Sequence, residues 1–207
     1  MPIEDPNCSL CSLVNWCASP CLQGKGDLDT AKLAIFTDAP AYLDDVRHRP
    51  YVSDGAQILE YMLARMGLDL IRDVRLDYTL KCYAGKKLPS KKRDRLVCIE
   101  ACSTYRIATL QAMPNLKTIM AMGRTSLEAF NGSSELSAFA EECWTPREPS
   151  VRELGVRHIW VSYSPLYLIE KPAESPEVYR TLWKAAEEAG LNPTTTKVPP
   201  IAWPESK

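Results

Sequence analysis

The sequence contains no apolar run approaching the roughly 20 residues that a membrane-spanning helix needs. The N-terminus, Met1-Pro2-Ile3-Glu4-Asp5, is acidic and lacks a signal-peptide pattern, so an intracellular, cytoplasmic protein is expected. There is no G-x-G-x-x-G and no Walker A motif, which leaves a nucleotide-cofactor fold without support. No internal repeat is present, which excludes a solenoid. The formal net charge is only −1, so the molecule as a whole is not a polycation. Any affinity for nucleic acid must therefore come from a local patch.

Such a patch is present. Lys86, Lys87, Lys91, Lys92, Arg93 and Arg95 crowd one short stretch against a single acid, Asp94. Eight cysteines in a chain without an export signal argue against a disulfide framework and toward metal binding. At 207 residues the chain is long enough to bury a core without cross-links. A single domain over 1–190 is expected, followed by an extended tail, 191–207, that is rich in proline and without periodicity.

Periodicity predicts a strand at 32–36, a turn at 37–40 and polar loop at 41–52. Ser53 reads as the N-cap of a helix carrying Ile58, Leu59, Met62, Leu63 and Met66 on one face, with Gly67 ending the run. A second strand is predicted at 74–80. The basic loop 84–92 follows, and then one long helix over about 91–112, stopped before Pro114. A third strand at 116–122 leads through Gly123-Arg124-Thr125-Ser126 into another helix, a turn able to offer backbone N–H groups to a phosphate. Residues 131–155 read as loop. A fourth strand at 156–163 precedes Ser164-Pro165-Leu166-Tyr167-Leu168-Ile169. The last helix spans 176–190, with Val178, Leu182, Ala185, Ala186 and Ala189 inward. Strands alternating with helices predict a parallel sheet covered on both faces.

Several elements occur together and in order: Cys8-Ser9-Leu10-Cys11-Ser12-Leu13, Gly24-Lys25-Gly26, Asp38-Ala39-Pro40, the acids Asp44-Asp45, and Arg49-Pro50-Tyr51-Val52. Asp77-Tyr78-Thr79-Leu80-Lys81-Cys82, Ala101-Cys102-Ser103-Thr104-Tyr105, Met122-Gly123 and Ser164-Pro165-Leu166 complete the series. Over about 8–190 this series resembles the family 4 uracil-DNA glycosylases and their phage-type relatives. The resemblance implies a three-layer α/β/α fold around a four-stranded parallel sheet.

It also implies a [4Fe–4S] cluster on Cys8, Cys11, Cys82 and Cys102. A tetrahedral zinc site can use the same thiolates, and Cys98, Cys17 and Cys21 remain alternative ligands. The family's activity is hydrolysis of the N-glycosidic bond of a flipped uracil. Carried over residue by residue, Asp38 is the carboxylate that positions water and Ala39 lines the base pocket. Tyr51 is the aromatic that stacks on the base. Tyr78 stands where the family has an asparagine that reads the base edge, and a phenol cannot offer both donor and acceptor in amide geometry. Ser164 stands where the family has its histidine. His48, near Tyr51, is a further candidate at the pocket mouth.

DNA contact is expected from Lys86, Lys87, Lys91, Lys92, Gly123 and Arg124, with Pro165, Leu166 and Leu168 as an apolar wedge. Two functions follow. One is release of uracil or a modified pyrimidine from DNA, with Asp38 orienting water. The other is a catalytically inactive DNA-binding module, acting as an accessory or processivity subunit beside a DNA polymerase or another replication protein. The tail containing Trp203 is a candidate partner surface.

Overall fold

A computed structural model describes residues 5–85 and 91–194 of the chain. Its centre is the strand expected first, β1 (Leu33–Thr37), buried along its whole length. β2 (Val74–Tyr78) and β3 (Thr118–Met122) pair with it in parallel on either side. β5 (Ile159–Ser162) extends the sheet from β3, also in parallel. Among the described residues the strand order is β2-β1-β3-β5-β4, with β4 at Cys143–Trp144.

Alternation along the strands builds the layers. Leu33 and Ile35 of β1, with Met120 and Met122 of β3, face one core. That core is closed by α2 (Asp54–Arg65) and α8 (Ser175–Glu188). Ala34 and Phe36, with Ile119 and Ala121, face the other. There the cover comes from α4 (Ser103–Gln111), α5 (Arg124–Asn131) and α6 (Pro149–Glu153). A strand that is apolar at successive positions is what a sheet packed on both faces requires. The fold is thus a three-layer α/β/α sandwich. Among the described residues no helix is long and apolar enough to cross a membrane.

Several details differ from the sequence reading, among them a helix, α6, inside the stretch 131–155 that reads as loop. The sheet has a fifth strand, β4 (Cys143–Trp144), which lies antiparallel to β5. It is only two residues long, too short for a period, and Trp144 packs on Phe139 with ring centroids 4.6 Å apart. The stretch 41–52 contains a helix, α1 (Tyr42–Val46), held at its start by Asp44, whose Oδ2 accepts the Ala41 N–H at 2.9 Å. The long central helix is two helices, α3 (Lys92–Ala101) and α4, which meet at Cys102, where Ser103 and Thr104 follow. Ser53 sits at the N-cap of α2, but its hydroxyl makes no capping bond; its own N–H donates to Asp44 instead.

The inner face of α8 is as expected, with Val178, Leu182, Ala185 and Ala186 fully buried. The start of the tail is less free than expected. Leu191 joins the core, and the Thr194 N–H donates to the Met66 carbonyl at 2.9 Å. Trp203 and the rest of the tail lie outside the described residues, as do Lys86 and Lys87.

Candidate functional site

The carboxyl edge of a parallel sheet is where strand ends release side chains into a crevice. Here β1 leads to Asp38 and Ala39, β2 ends in Tyr78, and β5 leads to Ser164 and Pro165. The loop from α1 to α2 adds Tyr51. One small cavity is lined by all of these together with Asp44 and Leu166. Asp38, Ala39, Tyr51, Tyr78 and Ser164, from four separate stretches of the sequence, are therefore brought together around one cavity.

The cavity is small. Its volume of about 60 Å³ holds on the order of two waters, whereas ligand pockets start near roughly 300 Å³. The reason is Tyr78. Its ring lies flat on that of Tyr51, with centroids 4.5 Å apart and planes within 7° of parallel. Both rings are buried, at 4% exposure for Tyr51 and 1% for Tyr78. The stacking face that Tyr51 was expected to offer to a base is covered by the protein's own phenol ring.

Hydrogen bonds fix the pair. The Tyr51 N–H donates to the Tyr78 Oη at 2.8 Å, and the Tyr78 hydroxyl donates to Asp44 Oδ2 at 3.2 Å. The Tyr51 hydroxyl donates to the Asp77 carbonyl and accepts from Thr37 Oγ1 at 3.1 Å. Burial drives both phenols well above their ordinary pKa, so they stay neutral donors. Tyr51 has φ +55°, a left-handed conformation that costs a non-glycine residue on the order of 1–2 kcal/mol. Asp44 holds that bend, because its Oδ1 also accepts the N–H groups of Val52 at 2.8 Å and Ser53 at 3.0 Å.

Asp44 is the organiser that periodicity missed. The one signal for it was its place in the acidic stretch ahead of Arg49-Pro50-Tyr51. Asp45 plays a parallel part on the other side of α1, accepting the N–H groups of Ala18 and Ser19. His48 stays outside the cavity, where its Nδ1 meets Ser19 Oγ at 2.7 Å.

Asp38 is anchored by α5. The Ser126 N–H donates to its Oδ1 at 2.9 Å, and the Ser126 hydroxyl lies 3.3 Å away. The N–H groups of Thr125 and Arg124 also lower its pKa, but burial outweighs them and pushes it up to about 6. Asp38 is thus a carboxylate that titrates close to neutral beside a water-sized space, the property a general base requires. This arrangement corrects the phosphate-cradle reading of Gly123. The N-terminus of α5 already binds an anion, Asp38, supplied by the chain itself. Gly123 has φ +106°, and a Cβ there would stand 2.4 Å from Asp38 Oδ2.

Around the rim, Leu166 is 49% exposed and lies over Gly55 at the start of α2. Pro165 is buried beside it. Leu168 is 1% exposed and packs in the α2/α8 core, which removes it from the expected wedge. Ser164 Oγ accepts the Tyr167 N–H at 3.3 Å, closing the turn into α7 (Tyr167–Glu170). Lys91, Lys92 and Arg124 are exposed.

Seven of the eight cysteines gather on one side of this site. Cys82, Cys98 and Cys102 share a buried cluster with Cys11 and Cys17 at its edge, and Cys8 and Cys21 pack on Tyr105. Cys143 lies exposed in β4. The thiols meet in pairs, Cys98 with Cys11 and Cys17 with Cys82, while the Cys21 N–H donates to the Cys82 sulfur at 3.5 Å. Among the described residues no three thiols, imidazoles or carboxylates stand in metal-ligating geometry. The donor chemistry nevertheless suits a thiolate-bound centre, since soft sulfur ligands select iron–sulfur clusters and zinc. Burial raises the thiol pKa of Cys82 and Cys102, and pushes Cys21 and Cys98 up to about 12.

Residues 23–187 match the model of the Uracil DNA glycosylase superfamily. No curated protein matches the chain.

Proposed function

The chain belongs to the Uracil DNA glycosylase superfamily, and from that premise we propose that it binds DNA at the carboxyl edge of its sheet without releasing a base there. The Tyr51–Tyr78 stack carries this reading. A glycosylase must draw its target base out of the duplex and hold it by stacking and by hydrogen bonds to its edge. Here the stacking surface is occupied by Tyr78, and the remaining space fits about two waters.

Binding itself needs none of the pocket. Leu166, Lys91, Lys92 and Arg124 are all exposed, and we assign the cations to phosphate contact and Leu166 to the groove. Such a protein suits an accessory or processivity role beside a DNA polymerase. We also propose a [4Fe–4S] cluster, with zinc as the alternative, on Cys8, Cys11, Cys82 and Cys102. When bound, that group would cross-link the N-terminal segment to the junction of α3 and α4. The chain's own contribution is to bury Cys8, Cys82 and Cys102, with Cys11 half-buried, near the segment that carries Lys91 and Lys92.

A second reading rests on Asp38. Its near-neutral pKa and the adjacent water-sized space suit hydrolysis of an N-glycosidic bond, provided Tyr78 leaves the stack to admit uracil or a modified pyrimidine.

The test of DNA binding is fluorescence anisotropy on a labelled DNA across a range of salt. Wild-type protein is expected to bind with a negative slope of log affinity on log salt. Changing Lys91, Lys92 and Arg124 together to Gln is expected to weaken binding and flatten that slope. Binding that is absent at low salt, or a slope unmoved by the triple variant, overturns the assignment.

A further inference from the structure

We propose that Tyr42 and Tyr83 form a stacking platform for an unpaired base of single-stranded DNA, placed outside the closed pocket. The inference rests on the DNA-binding reading above and adds the class of ligand.

The inner aromatic pair cannot serve an incoming base, because Tyr51 and Tyr78 are buried and stacked on each other. The outer pair is different. Tyr42 is 60% exposed, the most exposed aromatic ring among the described residues. It begins α1, directly after Ala41, which lines the cavity. It is thus one residue along the chain from the cavity lining. Tyr83 meets it in a T-shaped contact, with centroids 5.9 Å apart and planes at 64°. Such a contact braces the pair and, unlike a parallel stack, leaves at least one face of each ring clear of the other. An exposed tyrosine face beside water is poorly used unless something stacks on it.

The support for Tyr83 is built into the chain. Gly85 has φ +47°, and a Cβ there would stand 2.4 Å from the Tyr83 hydroxyl oxygen. Tyr83 therefore folds back over Gly85, a position only glycine permits. Its neighbour Cys82 is anchored in the cysteine cluster. The platform thus connects a rigid core segment on one side with the pocket rim on the other.

Charge selects the ligand. Lys91, Lys92 and Arg93 follow at the start of α3, and Arg124 is exposed at the start of α5. Cations that track a phosphate backbone, combined with an open aromatic face, are what proteins use to hold unpaired strands, because every base has a π-face. A paired base in a duplex has no face to offer. The platform therefore favours single strands, frayed ends or a base displaced from the helix.

The experiment compares a labelled single-stranded oligonucleotide with its duplex of equal length, by anisotropy across a range of salt concentrations. The proteins are wild type, Tyr42→Ala and Tyr42→Phe. Tyr42 is exposed, so its replacement leaves folding intact, which circular dichroism checks. Loss of one base stack is expected to weaken single-strand binding roughly 5- to 150-fold. Tyr42→Phe keeps the ring and is expected to retain wild-type affinity. The salt slope of Tyr42→Ala is expected to match wild type, since no phosphate contact is lost. In Tyr42→Trp, tryptophan emission is expected to be quenched on adding oligothymidylate. Wild type that binds DNA, with Tyr42→Ala unchanged within twofold, overturns the platform and leaves the DNA-binding reading standing. Wild type that binds neither strand form at low salt overturns both.

Discussion

Replacing Tyr78 by Ala removes the ring that closes the pocket. Tyr78 is 1% exposed and packs flat on Tyr51. Truncating a buried aromatic costs about 3–5 kcal/mol. Two hydrogen bonds are lost as well, leaving the buried Tyr51 N–H without its acceptor, although water entering the new space recovers part of that cost. The net expectation is about 4 kcal/mol. For a chain of this size each kcal/mol moves Tm by about 2–4 °C, so Tm is expected to fall by about 8–16 °C. The cavity left behind has the shape of the missing phenol and opens on the face of Tyr51. p-Cresol is therefore expected to bind Tyr78→Ala and raise its Tm, by about 2.7 kcal/mol of stabilisation at roughly 100 times its Kd. Wild type is expected to show no such rise. The measurement is a thermal melt of both proteins with and without p-cresol. A loss below about 1 kcal/mol with no p-cresol rescue would refute the claim that Tyr78 fills the site.

Three further outcomes are expected. Asp38 titrates near pH 6 in the fold against an ordinary 3.8, so the native state holds this proton more tightly than the unfolded chain. The stability it contributes is fully present below about pH 4 and is lost as pH rises through 6, on the order of 3 kcal/mol. Asp38→Asn cannot ionise, so its stability relative to wild type is expected to rise by about that amount between pH 4 and pH 7 in urea titrations; a flat difference contradicts this. Leu168→Ala is expected to cost about 2–5 kcal/mol as a core truncation, while Leu166→Ala stays within about 0.5 kcal/mol and weakens DNA binding; equal destabilisation of the two contradicts their placement. Thiols whose pKa burial has raised must lose protons to ligate metal. Zinc binding by the full chain under reducing conditions is therefore expected to tighten with rising pH and to release protons, and Cys82→Ser is expected to weaken it; pH-independent binding contradicts the use of these thiols.

Much of this architecture was legible in the residues. The apolar runs around Ile35, Met120 and Val161 marked buried strands because a sheet covered on both faces has no polar side to alternate with, whereas Val74-Arg75-Leu76-Asp77-Tyr78 alternates apolar with charged residues although all five are buried. The site residues Asp38, Tyr51, Tyr78 and Ser164 were legible as strand-end and loop positions in the order of the glycosylase pattern. What could not be read was how they pack. Tyr78 was visible as a departure from an asparagine, but nothing local says that its ring lies on Tyr51; that depends on Asp44 bending the chain at Tyr51 and accepting from the Tyr78 hydroxyl. Gly123 read as a phosphate turn because the sequence does not show that Asp38, far away in the chain, fills the same N-terminus. Leu166 and Leu168 were indistinguishable by composition, and the short α7 turns one outward and the other into the core. The two-residue β4 and the break at Cys102 were too small to leave a period.

The central claim is that the base site is closed while the surface still binds DNA. Single-turnover base release, with wild-type protein in excess over uracil-containing single-stranded and duplex DNA under conditions where binding is saturated, tests it most directly. The expected result is bound DNA with no free uracil and no abasic site. Release of uracil by wild type that Asp38→Ala abolishes would contradict the account, and would mean that Tyr78 yields its place to the base.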